Sequence, residues 1–437
     1  MPIPRLFAVL AVLLAFAMPA RAAEPIPAFA NGERILFLGD SITRAGPWHS
    51  TIALFHETRF PERRLEWLNA GVSGDTATNA LRRLDWDVLA RNPDRVVVMF
   101  GVNDVAITLY DGDNAPDKVA AREAQITAYQ GAMRTLVERL RSAKKKIILV
   151  TPPPYEEHGD FPTDKVVRPG ANDAVTRCAD ITRSLAAEYN LPLVDFNGPM
   201  NRIAADFQKT NPAFSLMSDR VHPTPGGYLV MAYQFLKAMD VPAVVATSEP
   251  TGTSFTYRPR ALPLPFDASQ RRFLPLVPFQ EELNREILRV PGLEEGQYEV
   301  VMDGAVIGTW WRAELDAGIN LAAVAGTPGY RRALEIKKHQ DERHGARSIG
   351  PRVLVAIRHQ VIEPAGVNFN DAAAVAAVLK GNSQGKQYDR FMASDKESAR
   401  RAERADEAIA TLKAKLPAIQ VTIRPAGPAP VEKRKAL

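Results

Sequence analysis

Through its first half the chain alternates two hydrophobic patterns. Short apolar, β-branched runs fall at Ile35–Leu38, Leu65–Leu68, Val96–Phe100, Ile147–Val150 and Leu193–Val194. Between them lie longer stretches with helical spacing, at Thr51–Arg59, Thr76–Ala90, Val119–Ser142 and Ala171–Tyr189, and a last helix is predicted over Pro225–Met239. Strands alternating with helices across short loops predict an α/β fold, a parallel sheet with helices on both faces. The runs are continuously apolar, as strands buried on both faces are. In such sheets ligands bind outside the carboxyl ends of the strands, so the residues that follow each run carry the most information.

Near Val241 the pattern changes. Residues 241–267 are rich in Pro, Thr and Ser and read as a linker or an irregular wrap. Strands are then predicted at Ile287–Val290, Tyr298–Met302 and Ala305–Trp310, the last two joined through Asp303-Gly304, a strong hairpin signal. Their antiparallel pattern predicts a small β-rich accessory unit. From Gly329 the chain turns helical and highly charged, as in "DKESARRAERADEAIATLKAKL", which reads as a surface helix laced with ion pairs. The expected organisation is a removable segment over 1–22, an α/β domain over 24–245, a β-rich region over 246–328, a charged helical region over 329–424 and a disordered tail over 425–437.

At 437 residues the chain is too long for one core, in keeping with that division. Arg5 precedes an apolar run from Leu6 to Phe16, and Ala20-Arg21-Ala22 supplies a small-x-small cleavage pattern. This is the pattern of a bacterial-type secretory signal peptide, and it predicts a secreted or periplasmic protein. The run is shorter than the ~20 residues a spanning helix needs. No later segment is apolar enough, so no transmembrane segment is expected after signal removal. The net charge of +5 loses Arg5 and Arg21 with that peptide, too weak a bias to imply a nucleic-acid partner. Lys144-Lys145-Lys146 reads as a solvated helix end. The single cysteine, Cys178, excludes an intrachain disulfide and reads as a small core residue. The pattern leaves the oligomeric state open.

Four short blocks stand at element ends. They are Gly39-Asp40-Ser41-Ile42-Thr43, "NAGVSGDT" over Asn69–Thr76, Gly101-Val102-Asn103-Asp104, and "SDRVHPTPGG" over Ser218–Gly227. The first three follow consecutive strands, so a parallel sheet would bring them to one edge. A serine hydroxyl is a weak nucleophile that needs a base within hydrogen-bond reach and a third group to orient that base. His222 lies in a polar loop with Asp219 three residues earlier, a spacing at which one turn can aim the carboxylate at the ring. Pro223 keeps His222 out of helical backbone. An attacked ester also needs donors for its oxyanion. The backbone N–H groups of Ser41 and Gly74 and the Asn103 side-chain amide are the candidates. Taken singly, each block is a common turn, and Asp75 or Thr76 would serve equally as a helix cap. Asp40 is expected to cap or position the Ser41 loop, and Asp104 to orient the Asn103 amide or cap a turn. Trp48 and His49, near the first block, are candidate substrate contacts. Trp310-Trp311 is a candidate sugar platform or a packed strand pair. His339 and His344 lack zinc spacing. No metal site, P-loop or dinucleotide fingerprint is found, and no cofactor is expected.

These four blocks, in this order, resemble the SGNH (GDSL-type) hydrolase family over roughly Arg34 to Met239. The resemblance implies a flavodoxin-like three-layer αβα sandwich and ester hydrolysis without metal. It places the nucleophile on Ser41, oxyanion donors on Gly74 and Asn103, and the acid-base pair on Asp219 and His222. The first block reads GDSIT rather than GDSL, a departure at a position that is not catalytic in the family pattern. The region beyond Val241 looks like the accessory tail of secreted, two-part members. The expected function is therefore that of an exported serine esterase, with O-acetyl groups on carbohydrate as the first substrate class. A lysophospholipase or thioesterase uses the same chemistry. A glycan- or partner-binding protein with a residual hydrolase domain is the non-enzymatic alternative.

Overall fold

A computed structural model describes residues 25–381, 383–416 and 418–427. The expected signal segment and most of the expected tail lie outside the described residues. The first half forms one five-stranded sheet, β1 Arg34–Gly39, β2 Glu66–Gly71, β3 Arg95–Met99, β4 Lys146–Val150 and β5 Leu193–Val194. Each strand begins within one residue of its predicted run. All neighbours are parallel, in the order β2-β1-β3-β4-β5. The chain steps outward from β1 to β2, then crosses back to β3 and builds in the other direction. That reversal leaves a crevice outside the carboxyl ends of β1 and β3.

Among the described residues seven α-helices accompany this sheet, α1 Ser41–Ala45, α2 Pro47–Arg59, α3 Ala77–Arg83, α4 Pro116–Ser142, α5 Ala171–Glu188, α6 Asn197–Gln208 and α7 Pro225–Lys237. They group in two layers, α2 packing with α7, and α3 and α5 packing on α4. Helix α4 shows why: Ile126, Tyr129, Met133, Leu136, Val137 and Leu140 are buried at helical spacing, and Pro116 opens the first turn. Helix α6 was not predicted. Helix α3 is shorter than expected, because a π-helical turn at Leu84–Val88 replaces its last part. That turn carries Asp87 inward.

The C-terminal region differs more from expectation. Its strands are β6 Val244–Ser248, β7 Ser254–Tyr257, β8 Arg285–Leu288, β9 Gln297–Met302, β10 Ala305–Trp311, β11 Ile319–Asn320 and β12 Ile419–Pro425. The supposed linker thus supplies β6 and β7. Strand β8 runs parallel to β6 in a three-stranded sheet, so the region is not wholly antiparallel. The other sheet, β10-β9-β12-β7, is antiparallel throughout. Its β9–β10 turn is the predicted one, with Asp303 and Gly304 at φ of 49° and 81°. Strand β12 straddles the boundary drawn at 424/425 and lies between β9 and β7. The charged helices are therefore an insertion within one sheet, and Ile419, Val421 and Ile423 seal it.

Four helices make up that insertion, α8 Pro328–His344, α9 Gly350–Ile357, α10 Ala372–Leu379 and α11 Ser383–Ala414. Helices α8 and α11 pack together, and α8 also packs on α2. The insertion is not simply a solvated face. Arg343, Arg352 and Lys413 are buried. Arg343 and Lys413 both meet Glu57 of α2, and Arg352 meets Asp87. Among the described residues no helix is long and apolar enough to cross a membrane.

Candidate active site

Strand β1 ends at Gly39, where only glycine fits: a Cβ there would lie 2.2 Å from Thr43 Oγ1 and 2.8 Å from the Met99 carbonyl oxygen. Asp40 caps α1, its Oδ1 accepting the Ile42 N–H at 2.9 Å. Ser41 is thus the first residue of α1, at the crevice between β1 and β3. Its Oγ lies 2.9 Å from His222 Nε2. His222 Nδ1 lies 2.8 Å from Asp219 Oδ2, and the His222 backbone N–H donates to Asp219 Oδ1 at 2.7 Å. The carboxylate therefore holds both the ring and the backbone of the histidine. With Nδ1–H donating to it, Nε2 presents its lone pair to the serine hydroxyl. The tight Asp-x-x-His turn needs Arg220 at φ +71°. That conformation is secured by the Arg220 guanidinium, which donates to the carbonyls of Glu156 and Lys165 at 3.2 and 3.1 Å. Partial desolvation opposes ionisation of Asp219, but the His222 N–H and ring hold its carboxyl below the ordinary value.

Gly74 has φ +76° and open space where a Cβ would lie, so backbone conformation rather than crowding selects glycine there. The next residue but one, Thr76, caps α3 by accepting the Asn79 N–H at 3.1 Å. The second block is therefore both a cap and a loop. Asn103 Nδ2 donates to the Asp75 carbonyl at 3.0 Å. A primary amide carries two N–H bonds, so this contact fixes its plane and leaves the second for another acceptor. Asp104 caps rather than orients: its Oδ1 accepts the Ala77 N–H at the start of α3 at 2.8 Å. The other oxygen, Oδ2, has no hydrogen-bond partner among the described residues. Burial pushes the Asp104 carboxyl up to about 7, and burial likewise pushes Asp40 up to about 6 against the pull of the Ile42 N–H.

Trp48 and His49 are not brought to this surface. Trp48 is 0 % exposed and packs edge-on against Phe37 and Phe196, with ring centroids 5.1 and 5.5 Å apart. His49 is 5 % exposed, stacks on Phe37 and meets the Thr43 carbonyl at 2.9 Å. Substrate contact from either would require opening the core, so the expectation is corrected. In β10, Trp310 packs against the core of the small sheet while Trp311 is 53 % exposed. Among the described residues no three His, Cys, Asp or Glu side chains gather as metal ligands.

A buried charge network behind the Gly74 loop was missed from sequence. Arg83 Nε donates to Asp75 Oδ2 at 2.8 Å and Nη1 to Asp87 Oδ2 at 2.6 Å. Arg352 grips both Asp87 oxygens at 2.5 and 2.7 Å. Burial works against ionisation of Asp87, but Arg352 and Arg83 hold its carboxyl well below the usual range. The i, i+4 pair Arg83–Asp87 has a local signal. Nothing local marks Arg352.

Residues 37–230, which contain Ser41, Gly74, Asn103, Asp219 and His222, match the GDSL-like lipase/acylhydrolase family. An acetylxylan esterase of Geobacillus stearothermophilus is 30% identical over 222 residues, covering 47% of this chain and 94% of that protein. The chain belongs to the GDSL-like lipase/acylhydrolase family. As a member it is a carboxylic ester hydrolase. Over 37% of this chain and 70% of its own length, an uncharacterized lipoprotein of Bacillus subtilis strain 168 is also 30% identical. The solved structure of a gut microbial diltiazem-metabolizing enzyme is similar across 93% of this chain and 100% of its own, at 31% identity and a TM-score of 0.85. With that enzyme the GDSL-like hydrolase shares the C-terminal sheets and helices as well as the α/β half.

Proposed function

We propose that the protein removes acetyl groups from carbohydrate outside the cytoplasm, with Ser41, His222 and Asp219 as its catalytic residues. The observation that carries this reading is the hydrogen-bonded row of these three side chains at the reversal point of the sheet. Ser41 Oγ attacks the acyl carbon as His222 Nε2 takes its proton. The developing oxyanion is held by the N–H groups of Ser41 and Gly74 and by the free N–H of the Asn103 amide. His222 then gives the proton to the leaving alkoxide, which departs as the alcohol and leaves an acyl-serine. Water, deprotonated by the same nitrogen, attacks that ester, releasing acetate and restoring Ser41. Asp219 holds the ring in the tautomer this cycle needs.

The acetylxylan esterase relative supports the acyl group and the sugar. Openness of the site supports a bulky alcohol part: the His222 and Asp219 side chains are 42% and 33% exposed, so a polymer can approach the nucleophile from solvent. The Arg5 and Leu6–Phe16 pattern supports export. The test measures acetate released from acetylated xylan beside fatty acid released from lysophospholipid and thiol from acyl thioesters. Acetate release should dominate, and Ser41→Ala should lower it by ~10⁴-fold or more. Faster turnover of lysophospholipid or thioester would overturn the substrate class. Xylan binding without Ser41-dependent hydrolysis of any ester would leave a binding protein.

A further inference from the structure

Three side chains of one short C-terminal segment reach back some 281–287 residues to the loop that carries Gly74. Arg352 Nε donates to the Gly71 carbonyl at 2.9 Å. Gln360 Nε2 donates to the Ser73 carbonyl at 2.8 Å. His359 Nε2 lies 3.2 Å from Asp75 Oδ1. The loop is thus held at residues 71, 73 and 75, on both sides of Gly74. Asp75 has a second link to the site, since its carbonyl accepts the Asn103 amide. Whatever fixes Asp75 therefore fixes the placement of two proposed oxyanion donors.

The chemistry of the grip is specific. Arg352, Asp87, Arg83, Asp75 and His359 form one continuous row, each at most 4 % exposed. Two carboxylates face two guanidiniums, and His359 Nε2 meets the Asp75 oxygen, Oδ1, that the Arg83 contacts leave over. Arg83 adds a bond to the Gly39 carbonyl at 3.3 Å, next to the Ser41 turn. Two members, Asp87 and His359, sit in π-helical turns, at Leu84–Val88 and Arg358–Ile362. Such turns rotate a side chain out of regular helical register and recur at functional sites.

We infer that His359, Gln360 and Arg352 are positioning residues for ester hydrolysis: the C-terminal segment holds the Gly71–Asp75 loop so that the Gly74 N–H and the Asn103 amide meet the oxyanion. This rests on the proposed role of Gly74 and Asn103 as its donors. The reaction then depends on a region outside the α/β half, without that region touching substrate.

The experiment uses the full chain, 4-nitrophenyl acetate, and temperatures at which circular dichroism shows each variant folded. His359→Ala should lower kcat by ~10- to 10²-fold, the scale of a small misplacement, with KM changed less than about twofold. His359→Gln keeps a donor toward Asp75 and should recover most of the rate. Gln360 is exposed, so Gln360→Ala should fold normally and lower kcat by about threefold, with Tm unmoved. In an Asn103→Ala background the His359→Ala loss should shrink, because both act on one oxyanion. Unchanged kcat in His359→Ala and Gln360→Ala beside a crippled Asn103→Ala would overturn this inference alone, as would fully additive losses. Unchanged kcat in Asn103→Ala would overturn the oxyanion assignment and this inference with it. Should His359→Ala fail to fold, His359→Gln and Gln360→Ala decide.

Discussion

The two sides of the candidate site are built differently. On the serine side the positioning contacts are short in sequence, Asp40 capping Ile42 and Asp219 holding His222 from three residues away, although Ser41 and His222 themselves meet across 181 residues. Two buried acids at the site without a guanidinium partner, Asp40 beside Ser41 and Asp104 beside Asn103, are pushed upward by burial toward neutrality. On the side of the proposed oxyanion donors the acids Asp75 and Asp87 each meet a guanidinium, and the contacts span up to 287 residues. One side is assembled by local turns of the α/β half. The other receives hydrogen bonds from the C-terminal insertion at residues 71, 73 and 75. A buried carboxylate beside a fixed guanidinium stays charged and directional, and so fixes geometry. One without a cation shifts toward its neutral form and fixes less.

The largest expected effect strikes the long-range side. Arg352→Met removes one partner of a buried pair and leaves Asp87 half-compensated, which typically costs about 3–5 kcal/mol. Urea unfolding should show that loss. A cost under about 1 kcal/mol would mean that the insertion is held by apolar packing instead, and the contrast between the two sides would fail. Next comes Asn103→Ala, expected to lower kcat by ~10²–10³, about 2.7–4 kcal/mol, with little change in folding stability. Steady-state kinetics beside a melting curve would check it. A stability loss without a rate loss would place Asn103 among the caps rather than the donors.

The serine side was legible in sequence because its signals are local. A strand run that stops at Gly39-Asp40-Ser41 locates a helix cap. Asp219-x-x-His222-Pro223 locates a turn that aims a carboxylate at a ring. The parallel sheet was legible for the same reason, since β3 and β4 are unbroken apolar runs bounded by polar residues. The C-terminal region was not. Strand β6 hides in a Pro- and Thr-rich stretch and pairs with β8 some 40 residues on, so neither end announces its partner. Strand β12 did carry a signal, the Ile419-x-Val421-x-Ile423 alternation, which the charged helix before it overshadowed. Arg343 and Lys413 sit in segments whose composition reads as solvated and Arg352 in the apolar helix GPRVLVAI, and only the acids they meet across the fold make burial of the charges possible. Trp48 and His49 failed the opposite way. Nearness to Ser41 along the chain suggested a pocket, but α2 turns both inward onto Phe37.

The smallest effect concerns the acid without a cation. Burial disfavours the charged form of Asp104 and pushes its carboxyl up to about 7, well above the ordinary carboxylate range. A raised carboxyl contributes stability that is fully present below the unfolded value and lost as pH rises through the folded one. Between pH 5 and pH 8 the wild type should therefore lose about 2.6 kcal/mol through this group alone, at 1.36 kcal/mol per unit. Asp104→Asn keeps an oxygen for the Ala77 N–H and has no charge to bury. Its stability relative to wild type should rise by that amount over the same range and level off above pH 8. Asp40 titrates nearby and its charge pushes Asp104 further up, so the difference between the two proteins carries that coupling as well. Denaturant unfolding of the pair at pH 5, 6, 7 and 8 reads the effect directly. A difference that stays flat would mean that Asp104 is as well compensated as Asp87, and the two sides of the site would then share one electrostatic design.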